Sequence, residues 1–506
     1  MAFYRSFTTV SGFTFISRIL GYVRELLIAM FIGAGPLSDV FFLALKLPNL
    51  FRRLFAEGAF NVAFVPIFSE LYHHSYEKAV QFVQHAFSYL VSIVFLLVIF
   101  FEIFMPWLMM LIAPGFMEST GKFELSILYA RITFPYIFFI SLTAFMSGIL
   151  NTLDRFAAST AAPILLNTNA IVALLLFSAT PALASEALTW SVPISGICQA
   201  FWVYLACQRQ AFHIRWVRPR LSPEVRKLFR KMIPGILGAG VYQFNLLVSD
   251  IIASFIPSGI SYLSFSDRIN QLPLSIIGAT MGTVMLPLLT KIFRSKDKNA
   301  GLTAQNQALM VSFYLSLPAA VALFILAHPV ISLLYQHGRF TPEAAQATAA
   351  CLGAFVIGLP AYVMVKVLSN NFFARGNTKT PVYVACGTIL LNIVLNIIFS
   401  QMWSYVGIAV ATSIAYWANI FTLFLLLKHE KYFIITKELV VTFIKIIINC
   451  TIMGGCLYFL KIYFFVELKM LPWVGLLVMI PTGLIIYLGG SHLLKTINYK
   501  ALKQLK

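Results

Sequence analysis

The chain has 506 residues, of which 60% are hydrophobic and 11% are charged, and its mean hydropathy is +0.86. This composition excludes an ordinary soluble protein and is typical of a chain that crosses a membrane many times. The formal net charge of +19 would suit a nucleic-acid-binding protein. However, no such motif accompanies it, and basic residues collect in the cytoplasmic loops of membrane proteins. We therefore expect membrane lipids as partners and no nucleic acid.

Long apolar stretches recur along the whole chain. Stretches of about 20 mainly apolar residues predict transmembrane helices, and we count about fourteen of them. Their centres lie near residues 20, 48, 95, 138, 169, 196, 244, 279, 315, 358, 391, 416, 450 and 484. Charge or proline interrupts the second and the tenth. The predicted fold is an all-α integral membrane protein.

Charged side chains interrupt the first apolar stretch, which contains Arg18, Arg24 and Glu25. A charge at the centre of a spanning helix costs about 2.5–3.5 kcal/mol on insertion scales, so these groups must face water or one another. Arg18 and Glu25 share a helix face because they are seven residues apart. Arg24 lies about 120° away. The interruptions also argue against a cleavable signal peptide.

The second stretch carries five charges: Asp39, Lys46, Arg52, Arg53 and Glu57. On a straight α-helix all of them except Arg52 lie within about 40° of one another. Pro48 makes this phase unreliable, because proline removes an intrahelical hydrogen bond and kinks the helix. Geometry alone therefore leaves open which of the two arginines faces a cavity. Asp39 and Glu57 are interpreted as partners that hold the arginines.

The basic excess in these two stretches predicts a polar, net-positive cavity and hence an anionic substrate. A guanidinium group donates two parallel hydrogen bonds to an oxyanion, which favours phosphate as the group recognised. The alternative for each charge taken singly is an internal ion pair without substrate contact. Lys46 is assigned, with the acids, to such a supporting role, and the same role falls to whichever of Arg52 and Arg53 does not face the cavity.

Fewer intramembrane charges occur in the second half, among them Asp250, Asp267 and Arg268. Arg268 is a candidate to complete the anion site from the opposite wall, and the alternative is a helix-end charge near the membrane interface. Asp250 and Asp267 are candidate ligands for a coupling cation. No cofactor and no metal site are expected, because the chain has no GxxxxGK[ST] or HExxH motif and no CxxC pair. Nothing supports catalysis.

The distribution of basic residues predicts the orientation. The segment 208–231, which follows the sixth predicted helix, carries eight Lys and Arg against one acid, whereas the loops 33–38 and 257–261 carry no Lys or Arg. Basic loops stay in the cytoplasm. Because further basic loops follow the eighth, tenth, twelfth and last helices, both termini are predicted to be cytoplasmic.

The two halves of the chain resemble each other. Blocks recur at an offset of 225 or 223 residues, and the matched positions are Pro48 with Pro273, Pro106 with Pro329, Pro135 with Pro360, and Ile164 with Ile389. A repeat of six helices keeps its membrane orientation, which predicts two parallel lobes. We expect an N-lobe at 1–215, a C-lobe at 216–430 and two additional helices in 431–506.

One block is highly specific. Residues 17–70, which include "SRILGYVRELLIAMFIGAG" and "PNLFRRLFAEGAFNVAFVPIFSE", closely resemble the signature of the MurJ (MviN) lipid II flippases. Further matches are "LNTLDRF" at 150–156, "SDRINQLPLSIIG" at 266–278 and "FFARGNTKTP" at 372–381. The resemblance covers essentially the whole chain. It implies two six-helix lobes and two extra helices, within the multidrug/oligosaccharidyl-lipid/polysaccharide exporter superfamily.

The resemblance also implies a function. Such proteins move lipid II, which is undecaprenyl-pyrophosphate-linked disaccharide-pentapeptide, from the cytoplasmic to the periplasmic leaflet of the bacterial inner membrane for peptidoglycan synthesis. The essential cavity arginines of the family match Arg18, Arg24, Arg52 and Arg268, and its acids match Asp39 and Glu57. The resemblance thus favours Arg52 over Arg53. Position 25 is Glu where relatives commonly have Asp. The helices near 438–462 and 473–494 resemble the pair that forms a groove for the lipid tail.

Two alternatives are weighed against this hypothesis. A related exporter could carry another lipid-linked oligosaccharide, which also contains a pyrophosphate. If such an exporter carried cationic drugs instead, its cavity would be expected to be lined with acids, and the excess of arginines argues against this. An integral-membrane polyprenyl-phosphate transferase should carry paired acids for a divalent metal, and we find no convincing set of this kind.

Overall fold

The structure is a computed structural model that describes residues 2–53, 60–210, 212, 214–294, 298–468 and 470–496. Within these ranges the chain forms helices and no strand. The helices are α1 (Ala2–Phe31), α2 (Pro36–Phe51), α3 (Asn61–His74), α4 (Tyr76–Ile112), α5 (Lys122–Thr133), α6 (Tyr136–Thr152), α7 (Phe156–Leu176), α8 (Pro181–Gln208), α9 (Pro223–Ser254), α10 (Gly259–Arg294), α11 (Lys298–Tyr335), α12 (Pro342–Ile357), α13 (Leu359–Ala374), α14 (Lys379–His429), α15 (Lys437–Lys461) and α16 (Pro472–Leu493). A short 3₁₀ helix, Pro114–Glu118, follows α4, and a π-helical turn, Ile462–Glu467, follows α15.

The predicted fold class is confirmed. In the part of the chain that the structure describes, nine helical stretches are long and apolar enough to cross a membrane. The predicted centre near residue 358 falls at Gly358, the break between α12 and α13, and all other predicted centres lie inside a helix. The second helix differs most from its prediction. It ends at Phe51, so the predicted centre at 48 lies within a turn of its end.

The longest helix, α14, contains two of the predicted spans. Its backbone leaves helical geometry at Trp403 and at Ser404, where φ is +54°. A Cβ on Gly407 would meet the carbonyl oxygen of Phe399. Residues eight apart in a continuous helix are separated by about 12 Å, so this contact requires the chain to turn back on itself. The spans near residues 391 and 416 are therefore distinct.

Contacts divide the chain into two compact units. The first comprises Met1–Ser261 with Gly338–Phe340, and the second comprises Tyr262–His337 with Thr341–Lys506. The first unit thus includes α9, which the sequence places at the start of the predicted C-lobe. Each unit has a hydrophobic core of its own.

Buried amides connect the helices of the first unit. The amide of Gln199 on α8 donates to the carbonyl of Ala162 on α7 at 3.0 Å and accepts from the Tyr136 hydroxyl of α6 at 3.2 Å. Elsewhere in the unit, aromatic rings fill the space between α3, α4 and α6, where Phe64 stacks on Phe68 and Phe82. Polar contacts of this kind fix helix positions because apolar packing alone distinguishes poorly between neighbours in lipid.

Matching interruptions occur in the two units. The span formed by α5 and α6 is broken at Pro135, and the span formed by α12 and α13 is broken beside Pro360. Helices α4 and α11 end at Ile112 and Tyr335, which are 223 residues apart, the same offset as their matched prolines. These correspondences agree with an internal repeat of the local structure. The parallel arrangement of two lobes stays a prediction.

The two additional helices, α15 and α16, lie within one residue of their predicted bounds and pack on α11. The amide of Asn449 on α15 donates to the Tyr487 carbonyl at 2.8 Å and to the Ser491 hydroxyl at 3.0 Å, both on α16. The Tyr487 hydroxyl donates to the carbonyl of Tyr314 on α11 at 2.7 Å. These bonds connect all three helices.

Substitution of Gly490 should disturb this connection. A Cβ there would overlap the amide of Asn449, whereas a Cβ on the neighbouring Gly489 would meet no atom within 4 Å. We expect Gly490→Ala to destabilise the protein by about 1–3 kcal/mol, the usual cost of overpacking, and Gly489→Ala to have little effect. The thermal unfolding midpoint of the purified protein in detergent measures both. Equal shifts for the two variants would contradict the assigned contact.

Candidate functional site

Arg24 is held inside the first unit by two neighbours. Its guanidinium donates from Nη2 to Oε1 of Glu25 at 2.7 Å and from Nη1 to Oδ1 of Asn167 at 3.1 Å. Asn167 lies on α7 and donates from Nδ2 to the carbonyl of Ser17 at 2.9 Å. Arg24 and Glu25 are only 8% and 3% exposed. In this conformation Arg24 therefore takes part in an internal ion pair, the alternative left open for each single charge.

Glu25 thus pairs with its neighbour in sequence. Straight-helix spacing placed it on the face of Arg18, but the long arginine side chain reaches the adjacent carboxylate. Arg18 itself is exposed on α1. Asn167 had no place in the sequence-based site because a single Asn in an apolar helix carries no motif.

Asp39, at the start of α2, is fully buried and accepts three hydrogen bonds. Its Oδ2 accepts from Nζ of Lys122 at 2.8 Å. Its Oδ1 accepts from the backbone N–H of Ser261 at 2.8 Å and from the Ser261 hydroxyl at 2.6 Å. Ser261 lies in the first turn of α10, where N–H groups lack intrahelical partners and the helix dipole favours a negative charge. The carboxylate therefore caps this helix.

The structure gives Asp39 a different role from the one expected. It was interpreted as holding an arginine, yet its carboxylate contacts Lys122 and Ser261. Arg52 is thirteen residues further along, which is about 20 Å of helix. Lys122 was missed because it opens α5, outside any apolar stretch, and no local spacing relates it to Asp39.

Lys122 is itself enclosed. Its side chain is 9% exposed, and its Nζ lies 4.0 Å from the centre of the Phe116 ring. Phe116 belongs to the 3₁₀ helix, whose Gly115 N–H donates to the Ser254 hydroxyl at the end of α9 at 3.1 Å. A Cβ on Gly115 would lie 2.5 Å from the backbone of Ser254 and Phe255. Lys122 and Asp39 are therefore part of a close-packed end of the first unit.

A third ion pair joins α2 to α9. Nζ of Lys46 donates to Oδ1 of Asp250 at 2.6 Å. The carboxylate of Asp250 is nearly inaccessible, with a side-chain exposure of 7%, whereas the Lys46 side chain is 39% exposed. Lys46 was assigned a supporting role and Asp250 a coupling role, and the structure places the two in direct contact.

Arg52 and Arg53 follow the last residue of α2. The backbone is wound there as a π-helix, and Arg52 is half-buried whereas Arg53 is exposed. A π-helix has more residues per turn than an α-helix, so the straight-helix phase does not apply at this point. Glu57 lies outside the described residues.

The second unit contains Asp267 and Arg268, both half-buried on α10. Oδ2 of Asp267 accepts from the Gln271 side chain at 2.5 Å. In the same unit Lys366 packs against Gly278 and lies over the Tyr362 ring, with Nζ 5.6 Å from the ring centre. Among the residues that the structure describes, no group of three or more His, Cys, Asp or Glu could hold a metal ion.

Ionisable side chains buried among the helices of a multi-span membrane chain are typical of proteins that move polar or charged substrates. Solved structures of other proteins share the fold. A multidrug resistance MATE family transporter of the MOP superfamily, in an inward-facing conformation, is 14% identical to the chain with a TM-score of 0.69 over 82% of this chain and 94% of that one. At this identity the likeness concerns the fold alone.

The family follows from closer matches. The family model described as lipid II flippase MurJ matches residues 28–477, and the chain belongs to this family. The probable lipid II flippase MurJ of Rickettsia prowazekii is 37% identical over 503 residues, covering 99% of both chains. The lipid II flippase MurJ of Burkholderia cenocepacia is 31% identical, covering 94% of this chain and 92% of the relative.

A solved structure supports the same assignment. Lipid II flippase MurJ in an inward closed conformation is 29% identical, with a TM-score of 0.81 over 96% of this chain and 98% of that one. The chain is thus a multi-pass membrane transporter of the inner membrane and not an enzyme, which excludes the polyprenyl-phosphate transferase considered above.

Substitution of Lys122 should destabilise the protein, because the buried carboxylate of Asp39 loses its counter-charge. Removal of one partner from a buried pair costs about 3–5 kcal/mol, because the remaining charge is left uncompensated. We expect Lys122→Met to lower the unfolding midpoint strongly, and Asp39→Asn combined with Lys122→Met to recover part of the loss. Lys431→Met, at an exposed lysine, serves as the control. A double variant no more stable than Lys122→Met would show that the pair is not coupled.

Proposed function

We propose that this chain flips lipid II from the cytoplasmic to the periplasmic leaflet of the inner membrane by alternating access. The observation that carries the proposal is the match to the MurJ family along almost the whole chain, together with arginines inside α1 and α10 and at the end of α2. The physical task is to move a large anionic headgroup through hydrocarbon while its tail stays in lipid. Guanidinium groups in a water-accessible chamber replace the hydration of a diphosphate.

Arg18, Arg52 and Arg268 are our candidates for direct diphosphate contact, because each retains exposed surface in this conformation. Arg24 has a different part. Two of its five N–H groups donate to Glu25 and Asn167, and the buried Nε–H has no hydrogen-bond partner among the described residues, so substrate contact requires the surrounding side chains to open and not the loss of these bonds. We infer that these two residues orient Arg24 until the substrate arrives. Arg52 is chosen over Arg53 on the resemblance to the family, and it is also the more buried of the two.

Asp39 is proposed to stabilise one end of the transport cycle. Its hydrogen bonds with Ser261 hold the first turn of α10 against α2. A motion that separates these helices at this end has to break those bonds, while the bond with Lys122 can persist. Lys122 would then keep the carboxylate compensated in both states.

Two acids are candidates for coupling transport to a source of energy. We infer that Asp250 or Asp267 couples transport to a cation, and at Asp250 this requires the cation to replace Lys46. The membrane potential also biases any step that moves charge, by about 2.3 kcal/mol per charge per 100 mV. A cation that stimulates transport by the wild type and not by Asp250→Asn would support the assignment of Asp250.

The lobes, the orientation of the termini and the groove for the lipid tail are proposed as the sequence predicts them. We propose lobes at 1–215 and 216–430, both termini in the cytoplasm, and a groove for the undecaprenyl tail on α15 and α16. Exposed aliphatic side chains on both helices, such as Ile452 and Ile485, favour lipid contact. A flippase for another lipid-linked oligosaccharide would share this chemistry, and the substrate assignment rests on the family.

The arginines provide the test. In cells depleted of their own lipid II flippase, the wild-type chain should restore growth and the appearance of lipid II in the outer leaflet. Arg18→Ala, Arg24→Ala, Arg52→Ala and Arg268→Ala should each fail, since a charge-assisted hydrogen bond contributes about 1.5–3 kcal/mol. The corresponding Lys variants should rescue only partly because an ammonium cannot form the bidentate contact.

Arg53→Ala is the matched control, because Arg53 is adjacent, equally charged and exposed. It should support growth when immunoblots show equal amounts in the membrane. Growth with Arg52→Ala but not with Arg53→Ala would reverse our choice between them. A wild-type chain that neither binds lipid II nor moves it would refute the substrate assignment.

A further inference from the structure

The link between α8 and α9 is a fixed part of the first unit. Residues 214–222 are not helical, yet Phe212 and Ile214 are buried in the hydrophobic core of this unit. The Phe212 ring packs edge-on against Phe68. The backbone N–H of Val217 donates to the Ser88 hydroxyl on α4 at 2.9 Å. These anchors hold the link against α3 and α4 and give its outer face a defined shape.

The outer face of the link combines positive charge with large apolar side chains. Arg215, Arg218 and Arg220 are exposed, and the neighbouring Trp216 and Leu221 are 59% and 51% exposed. At a membrane surface the ring enters the interfacial layer while the guanidinium groups meet phosphates.

The first turns of α9 continue this face. Val225, Leu228 and Met232 are buried. The opposite side carries exposed basic residues, namely Arg226, Lys227, Arg230 and Lys231. The helix therefore begins as an amphipathic surface helix with a basic outer side.

Acidic residues near this face offset little of its charge. Glu70 on α3 forms an exposed pair with Lys227 at 3.2 Å. Glu77 is exposed at the start of α4, beside Lys78. Hydrogen bonding by Ser222 lowers the pKa of Glu224, which is the one acid within 208–231. Among the described residues, the other six Arg and Lys of this face form no ion pair with an acid.

The end of α8 indicates the level of the membrane surface. Its last turns expose Phe201, Trp202 and Tyr204, and aromatic belts of this type mark the interface between lipid and water. The link begins only a few residues beyond them. Its basic face therefore lies near the depth of the lipid headgroups.

We propose that residues 214–222 and the first turns of α9, here called the basic platform, bind the headgroups of anionic phospholipids, with Trp216 and Leu221 inserted among them. This surface is distinct from the substrate arginines of α1, α2 and α10. The choice of leaflet rests on the proposed orientation, but binding itself does not. Anionic lipid would then hold the cytoplasmic ends of α3, α4 and α9 at a set depth.

Brominated lipids test the platform in the full-length chain. The protein is reconstituted into phosphatidylcholine vesicles that contain a minority of phosphatidylglycerol, with bromine near the headgroup of either one lipid or the other at equal mole fraction. The difference between wild type and Trp216→Phe isolates the fluorescence of Trp216. We expect brominated phosphatidylglycerol to quench Trp216 more strongly than brominated phosphatidylcholine, and salt to reduce the difference.

Charge variants complete the test. Replacement of Arg215, Arg218 and Arg220 by Gln should remove the preference for phosphatidylglycerol, since each basic residue near an anionic surface changes affinity about fivefold. The matched control replaces the exposed Lys428, Lys431 and Lys437 by Gln and should keep the preference. Equal quenching by the two lipids in wild type would refute the proposal. So would displacement of phosphatidylglycerol by a trace of lipid II, which would assign the platform to the substrate path.

Discussion

A charge surrounded by hydrocarbon needs a partner or water, and this requirement organises the first unit. Three ion pairs meet it in three ways. Arg24 and Glu25 pair within one helix as neighbours in sequence, Lys46 and Asp250 join α2 to α9, and Lys122 and Asp39 join the starts of α5 and α2. In each pair the attraction between the two charges offsets much of their desolvation cost. The net contribution of a buried pair to the free energy of unfolding is nevertheless small. Their retention is therefore more informative about function than about stability.

The cationic groups also differ in their exposure to solvent. Arg24 is sealed, Lys46 is partly open, and Arg18 is exposed. In the proposed cycle, this difference in exposure would order the contacts with a diphosphate. An exposed cation such as Arg18 meets the ligand directly, whereas buried Arg24 is reached only after the side chains around it move.

Sequence reasoning was sufficient for the fold class, because span length and apolar composition are local properties imposed by the bilayer. The bounds of α15 and α16, which came with the family resemblance, agree with the structure within one residue. Sequence reasoning failed for the partners of Asp39, since Lys122 is 83 residues away and spacing along one helix carries no information about a neighbour. Spacing left Arg52 and Arg53 undecided because Pro48 makes the helical phase unreliable, and the structure shows a π-helical backbone at both residues, which angular positions on a regular α-helix do not describe.

The turn inside α14 has a consequence for biogenesis. Trp403 and Ser404 reverse the chain with almost no intervening loop, and Gly407 lies against the backbone of Phe399. The two spans are thus hydrophobic arms of one tight hairpin. Neither arm has a hydrophilic segment of its own to translocate, so the translocon can release them into lipid as a single insertion event, and an epitope placed at their tip would interrupt assembly rather than report topology.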